Sequence, residues 1–265
     1  MVTNSTISGN TATAWATNYN SSSRSYGGGI YNAGMVTVTN STISGNWVSS
    51  DSSPYGGGIC NLGTMTLYNT IVVENSPNIS NYISGYSGDY IIQGSNNLTT
   101  FTAWSGDSNN NLVYDSSKPL FIEGGYQLAP GSQAIDKGNN ALAVDADGKP
   151  IWLDLDGNLR IANGTVDIGA YEYGSTSATP ANFRSTNVKD TTVTLEWNVV
   201  TGATGYEIQY RKTSTTTWAN VTVSETTAII SNLALGTEYE FQVRAVKDNV
   251  SVPRMPYSEV RHIGR

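Results

Sequence analysis

The chain has 265 residues, of which 13% are charged, and a net charge of −7; that length suits two domains, each able to bury a core. Its one cysteine, Cys60, excludes an internal disulfide framework and a cysteine-built zinc site. Neither half carries a basic stripe, which disfavours nucleic acid as a partner, and no apolar run approaches the ~20 residues of a membrane-crossing helix.

Val2–Asn10 reads VTNSTISGN. The same string, unchanged at Val38–Asn46, closes the stretch Tyr26–Asn46, YGGGIYNAGMVTVTNSTISGN, which returns as Tyr55–Asn75, YGGGICNLGTMTLYNTIVVEN. Copies this long with no helical period predict stacked β coils, a solenoid. Met1 falls where Thr37 sits in the next copy, so the reading expects a chain that starts partway round a coil, as a fragment of a longer protein.

Aligned on Asn40 and Asn69, the copies superpose Ile30 on Ile59, Val36 on Met65, Val38 on Leu67 and Ile43 on Val72. Thr37, Thr39, Thr66 and Tyr68 fall between them, the alternation of half-buried strands. Three short strands per coil are expected, around GGGI, VTVT and TISG. Their aliphatics should stack inside, each pair contributing ~1 kcal/mol through buried area. Asn32/Asn61, Asn40/Asn69 and Asn46/Asn75 recur at corners, where asparagine tolerates left-handed backbone; ladders of stacked amides are preferred to a ligand site. The glycine triplets Gly27–Gly29 and Gly56–Gly58 lack any phosphate-loop pattern and read as tight corners. Cys60 takes the place of Tyr31 as a small side chain on the coil, with the one histidine, His262, far away in sequence.

Between copies, Thr11–Ser25 and Trp47–Pro54 read as loops on one edge of the solenoid. Trp15, Tyr19, Tyr26, Trp47 and Tyr55 cluster there. Such aromatics either pack on one another to shield the edge or form a platform for sugar rings; these five are the candidate glycan contacts. From Ser76 the repeat degrades, with strands expected around Asp89–Gln93 and Asn111–Tyr114. Pro119–Tyr173 is expected to close the stack, because a bare last coil is an aggregating edge.

The closing stretch carries Pro119-Leu120-Phe121, Leu128 with Pro130-Gly131-Ser132, Ala134-Ile135-Asp136 with Gly138, Asp154–Asn158 with Arg160, and Asp167-Ile168-Gly169-Ala170-Tyr171-Glu172. This resembles the C-terminal end of bacterial right-handed parallel β-helix proteins of the choice-of-anchor Q type, and the GGGI and TISGN repeats look like those of polymorphic outer-membrane proteins. The resemblance covers about the first two-thirds of the chain. It implies a right-handed parallel β-helix on a secreted or surface-attached bacterial protein, and supplies no activity. By charge, Arg160 is expected to pair with one or two of Asp154, Asp156, Asp167 and Glu172. Asp145 with Asp147, and Asp154 with Asp156, each precede a glycine and raise calcium; the EF-type spacing fails, since Ala143 and Ile151 would fall on ligand positions.

Residues 175–179 form a small-residue linker. Seven short strands are then expected, around Ala181–Thr186, Val193–Trp197, Gly205–Arg211, Trp218–Val223, Thr227–Ile230, Glu238–Val246 and Tyr257–Ile263, the pattern of a β-sandwich. Trp197, Tyr206, Leu233 and Gly236-Thr237-Glu238-Tyr239 resemble the markers of a fibronectin type III domain over 180–265. The resemblance implies a core Trp197 and a tyrosine corner at Tyr239. No RGD triplet occurs.

The fold class is therefore all-β, a parallel β-helix over 1–174 followed by the sandwich. Two functions are open. The favoured one is a non-catalytic protein of the cell exterior or bacterial surface, a stalk or adhesin-like body that contacts polysaccharide or cell-surface glycan, with a spacer domain and no cofactor. The alternative is a polysaccharide lyase or glycosidase. Against it, residues 1–117 hold a single cation, Arg24, and Asp51, Glu74, Asp89, Asp107 and Asp115 share no repeat position.

Overall fold

A computed structural model describes residues 1–15, 23–51, 53–80, 91–100, 109–175, 177–246 and 261–263. Tyr19, Asp89 and Asp107 lie outside the described residues, as does most of the expected last strand. The described residues are all-β with one 3-10 turn, Asn140–Leu142. The chain divides into two units, residues 1–156 with 160–175, and residues 176–265 with 157–159.

In the first unit, each repeat gives one strand to each of three parallel sheets. The first sheet runs Val2–Thr3, Met35–Thr39, Thr64–Tyr68 and Ile91–Ser95; the second runs Thr6–Ser8, Thr42–Ser44, Ile71–Val73, Leu98–Thr99 and Leu112–Val113; the third runs Ile30–Asn32, Ile59–Asn61 and Ile79–Ser80. The register matches the sequence alignment: Val36 lies opposite Met65, Val38 opposite Leu67, Ile43 opposite Val72 and Ile30 opposite Ile59. Val38, Ile43, Ile59, Met65, Leu67 and Val72 are fully buried in one core. Period-two alternation points these residues inward together, which is why Thr37 and Thr66 fall on the opposite side.

Asparagines carry the corners. Asn4, Asn40 and Asn69 hold φ of +49°, +47° and +47°. Along another corner the amides form a chain: Asn10 Nδ2 donates to Asn46 Oδ1 at 2.9 Å, Asn46 Nδ2 to Asn75 Oδ1 at 2.9 Å, and Asn75 Nδ2 to Asn78 Oδ1 at 2.6 Å. Each Oδ1 of Asn46 and Asn75 also takes a backbone N–H from the preceding copy at 3.0 Å. Buried amides are thus satisfied along the stack, which avoids the ~1–3 kcal/mol that an unpaired one costs. The glycine triplets bond copy to copy, Gly27 N to Tyr55 O at 3.0 Å and Gly29 N to Gly57 O at 2.8 Å. A Cβ on Gly28 would run into the carbonyl oxygens of Trp47 and Gly57, so close approach alone requires glycine there.

Two expectations need correction. The segments read as loops hold strands: Thr11–Ala14 pairs in parallel with Trp47–Ser50, and Arg24–Tyr26 with Ser53–Tyr55. Their Ser, Thr and Ala content resembles loop composition, but alternate exposure along TATA is a strand signature. The closing segment also does more than follow the last copy. It lies along the second sheet, packing Leu120, Leu128, Ala134 and Ile168 on Ile71, Val73 and Leu98. Ile71 and Val73 face this segment while Val72 faces the inner core, so both sides of the strand are buried and the run IVV is apolar throughout.

The second unit is a sandwich of two antiparallel sheets. One holds Arg184–Lys189, Thr192–Glu196 and Thr227–Ile230; the other holds Ala219–Val223, Gly205–Lys212, Tyr239–Val246 and Arg261–Ile263. The first strand starts at Arg184 rather than Ala181, because Asn182 has φ +55°, a left-handed turn no strand accommodates. Trp197 is buried, its ring edge-on to Tyr206 at 5.3 Å. The Tyr239 hydroxyl oxygen accepts from Ala234 N at 3.0 Å, the tyrosine corner.

Candidate functional site

Four of the five candidate aromatics are described, and they divide into two pairs. Thr11 and Trp47 are register partners in their parallel pair. Alternation along Thr11–Ala14 sets Thr11, Thr13 and Trp15 on one side, and register sets Trp47 on that side too. Trp15 is 67% exposed and Trp47 53% exposed. Four residue steps lead from Thr11 to Trp15, which offsets the two indoles by ~13 Å along the strand direction. Tyr26 and Tyr55 instead stack on each other, with ring centroids 5.6 Å apart and planes 15° apart, and Tyr31 sits 6.1 Å from Tyr26. One face of each stacked ring is therefore already taken.

The second feature is a groove, formed by residues far apart in sequence. An open groove of about 650 Å³ lies beside the second sheet, lined among others by Glu74, Tyr114, Lys118, Phe121 and Tyr126. The Tyr114 hydroxyl donates to Glu74 Oε1 at 2.6 Å, and the Phe121 and Tyr126 rings meet edge to face at 5.3 Å. Burial first, then the Glu74 carboxylate, pushes the Tyr114 phenol up to about 12, so it stays a neutral donor. Lys118 lies 3.4 Å from Asp115 on the surface. The Asp115 carboxyl is held below its ordinary range by the Ser117 hydroxyl and N–H. The available signal was the repeat itself, because Glu74 occupies the position of Gly9 and Gly45.

Of the acidic residues flagged for calcium, Asp145 serves a turn, while Asp154 and Asp156 bond to distant segments. Asp145 Oδ1 accepts from Asp147 N and Lys149 N, both at 2.9 Å. Asp156 Oδ2 accepts from Gln127 Nε2 at 3.1 Å, while Asp154 is buried and accepts from Glu172 N at 3.1 Å. Among the described residues no three metal-binding side chains converge.

Arg160 departs from the expected carboxylate pairing. It is 1% exposed, and its Nη1 donates to Ala170 O at 2.8 Å and its Nη2 to Gly169 O. With the Asn40 amide oxygen turned toward it, Asn40 also accepts from Nε at 2.9 Å and Nη2 at 2.7 Å. The hydrogen bonds that orient the fork thus go to carbonyls and an amide. The nearby carboxylates bind backbone instead: Glu172 accepts from Ala162 N and Asp167 N at 2.9 and 3.0 Å, and Asp167 from Asp136 N and Tyr173 N at 2.7 and 2.6 Å. Burial, then the Asp167 charge, pushes the Glu172 carboxyl up to about 8, and burial likewise raises Asp167. Cys60 is buried, which pushes its thiol up to about 11; a thiol so protonated is a poor nucleophile.

Residues 178–261 match the fibronectin type III domain. Over 99 residues the chain is 39% identical to chitinase A1 of Niallia circulans, which covers 35% of this chain and 13% of that enzyme; the chain spans about an eighth of the length of this curated relative. Solved structures that match in part include a myokine (19% identity, 34% of this chain and 97% of that one, TM-score 0.30). Others are the three-domain FN1–FN3 segment of chicken contactin 1 (20%, 38% and 39%, 0.31) and the fibronectin domain of human contactin 1 (20%, 32% and 74%, 0.29).

Proposed function

We propose that residues 1–175 wind as a right-handed parallel β-helix that contacts polysaccharide without cleaving it, on an extracellular or bacterial surface protein, with the fibronectin type III domain as a spacer. The observation that carries this reading is the pair of exposed indoles, Trp15 and Trp47, held on one side of a parallel strand pair. Flat apolar ring faces at a fixed spacing suit the C–H faces of successive sugars in one chain. Partial likeness to a chitinase supports a setting among insoluble polysaccharides.

The test is co-sedimentation of the full chain with chitin and cellulose particles, wild type against Trp15→Ala/Trp47→Ala. The double variant should lose at least tenfold in affinity, with its unfolding free energy within ~0.5 kcal/mol of wild type, since both side chains are exposed. Equal retention of both proteins on the particles, or of neither, would sink the proposal. Release of reducing ends that one acid-to-amide substitution abolishes would replace it with the hydrolase reading.

A further inference from the structure

Glu74 stands where the repeat has glycine. The strings Ser8-Gly9-Asn10 and Ser44-Gly45-Asn46 become Val73-Glu74-Asn75, and all three central residues hold positive φ, +66°, +69° and +56°. Glycine adopts that backbone freely, whereas a residue with a Cβ is strained there. Corner geometry therefore favours glycine at this position, and the chain carries a glutamate.

The side chain is also engaged. Its Oε1 takes the Tyr114 hydroxyl from a strand two steps along the second sheet, at 2.6 Å. The carboxylate is exposed in the groove bounded by Lys118, Phe121 and Tyr126. The Tyr126 hydroxyl reaches the neighbouring corner, where a Cβ on Gly45 would come within 3.3 Å of it. A glutamate there would crowd Tyr126, so the glycine at one corner and the glutamate at the next shape a single recess.

We propose that this groove is a saccharide-binding site, in which Glu74 accepts hydroxyl hydrogen bonds from a neutral hexose or N-acetylhexosamine unit and the Phe121–Tyr126 pair covers its apolar face. Backbone strain retained at an exposed polar residue marks function rather than folding. The carboxylate accepts and the edge-to-face ring pair stacks, two of the contacts a pyranose needs, while the Tyr114 proton is committed to Glu74. A volume of about 650 Å³ falls within the range of small-ligand sites and takes more than one sugar unit. Tyr114 is a positioning residue that fixes the carboxylate rotamer. The site stands apart from the tryptophan pair, and either can fail alone.

The test is calorimetric titration of the full chain with cellohexaose, mannohexaose and chitohexaose. Wild type should bind at least one of them, and Glu74→Gly should weaken that affinity at least tenfold. Because glycine restores the repeat residue, its unfolding midpoint should be no lower than that of wild type, which separates lost recognition from lost folding. Tyr114→Phe should weaken binding severalfold. Wild-type affinity in Glu74→Gly, or heat from none of the three oligosaccharides, would overturn the assignment.

Discussion

The two units bury polar groups by opposite means. In the first, neutral amides repeat along the stacking direction, as in the chain Asn10–Asn46–Asn75–Asn78, whose first two bonds each join one copy to the next. In the sandwich, charge meets charge across a strand pair: Arg244 lies opposite Glu207 and Arg211 opposite Glu240, with contacts of 2.5 and 2.7 Å. A repeat places identical residues in register, so a charged ladder would stack like on like, whereas asparagine is both donor and acceptor and stacks on itself. An antiparallel pair puts different residues opposite each other and can match opposite signs. The stacked copies thus have little use for charge, and it collects in the closing segment.

Arg160 is the sharpest place to break that contrast. Arg160→Ala would leave Asp154, Asp167 and Glu172 buried without the cation that offsets their desolvation. The expected loss is ~3–5 kcal/mol, read by denaturant unfolding together with hydrogen exchange of the amides of residues 160–173. Unchanged protection there would show that the guanidinium does not organise the closure.

Next come the neutral ladder and the tyrosine corner. Asn46→Ala takes the acceptor from Asn10 N and Nδ2 and the side-chain donor from Ile7 O, while Asn75 Oδ1 keeps only the Asn46 backbone N–H, and it should cost ~2–3 kcal/mol. Tyr239→Phe leaves only Ala234 N without its acceptor and should cost ~1 kcal/mol. Reversal of that order in urea melts would mean that the amide chain is decoration.

A pH dependence tests the same closing segment. Glu172 is raised in the folded chain to about 8 from an ordinary value of 4.5, so the folded state holds a proton that the unfolded state releases. Its contribution is complete below about 4.5 and is lost as pH rises through about 8. Stability should fall between pH 5 and 9 from this group, and Glu172→Gln should flatten the slope. A wild type whose stability rises over that window would refute the assignment.

Much of this was legible in the sequence, for different reasons in different places. The pairing of Val38 with Leu67 and of Ile43 with Val72 follows from aligning the two copies, since register is set by the same residues that recur. Trp197 and Tyr239 announced the sandwich because a buried indole and a corner hydroxyl are single-residue devices. The partners of Arg160 were hidden, since backbone carbonyls exist at every position and leave no letter in the sequence. The strands at Thr11–Ala14 and Trp47–Ser50 were masked by small polar residues. The importance of Glu74 was readable from the alignment, but only φ showed that it keeps a glycine's backbone.

Cys60 sits between Tyr31 and Ser80 in the third sheet with no exposed surface. While the copies stay stacked, reagents cannot reach its sulfur, and two molecules cannot crosslink through it. Labelling at that atom therefore becomes a clock, because its rate counts how often adjoining layers part. The chain carries a built-in reporter of its own breathing, at a position where no fluorophore or engineered tag would fit.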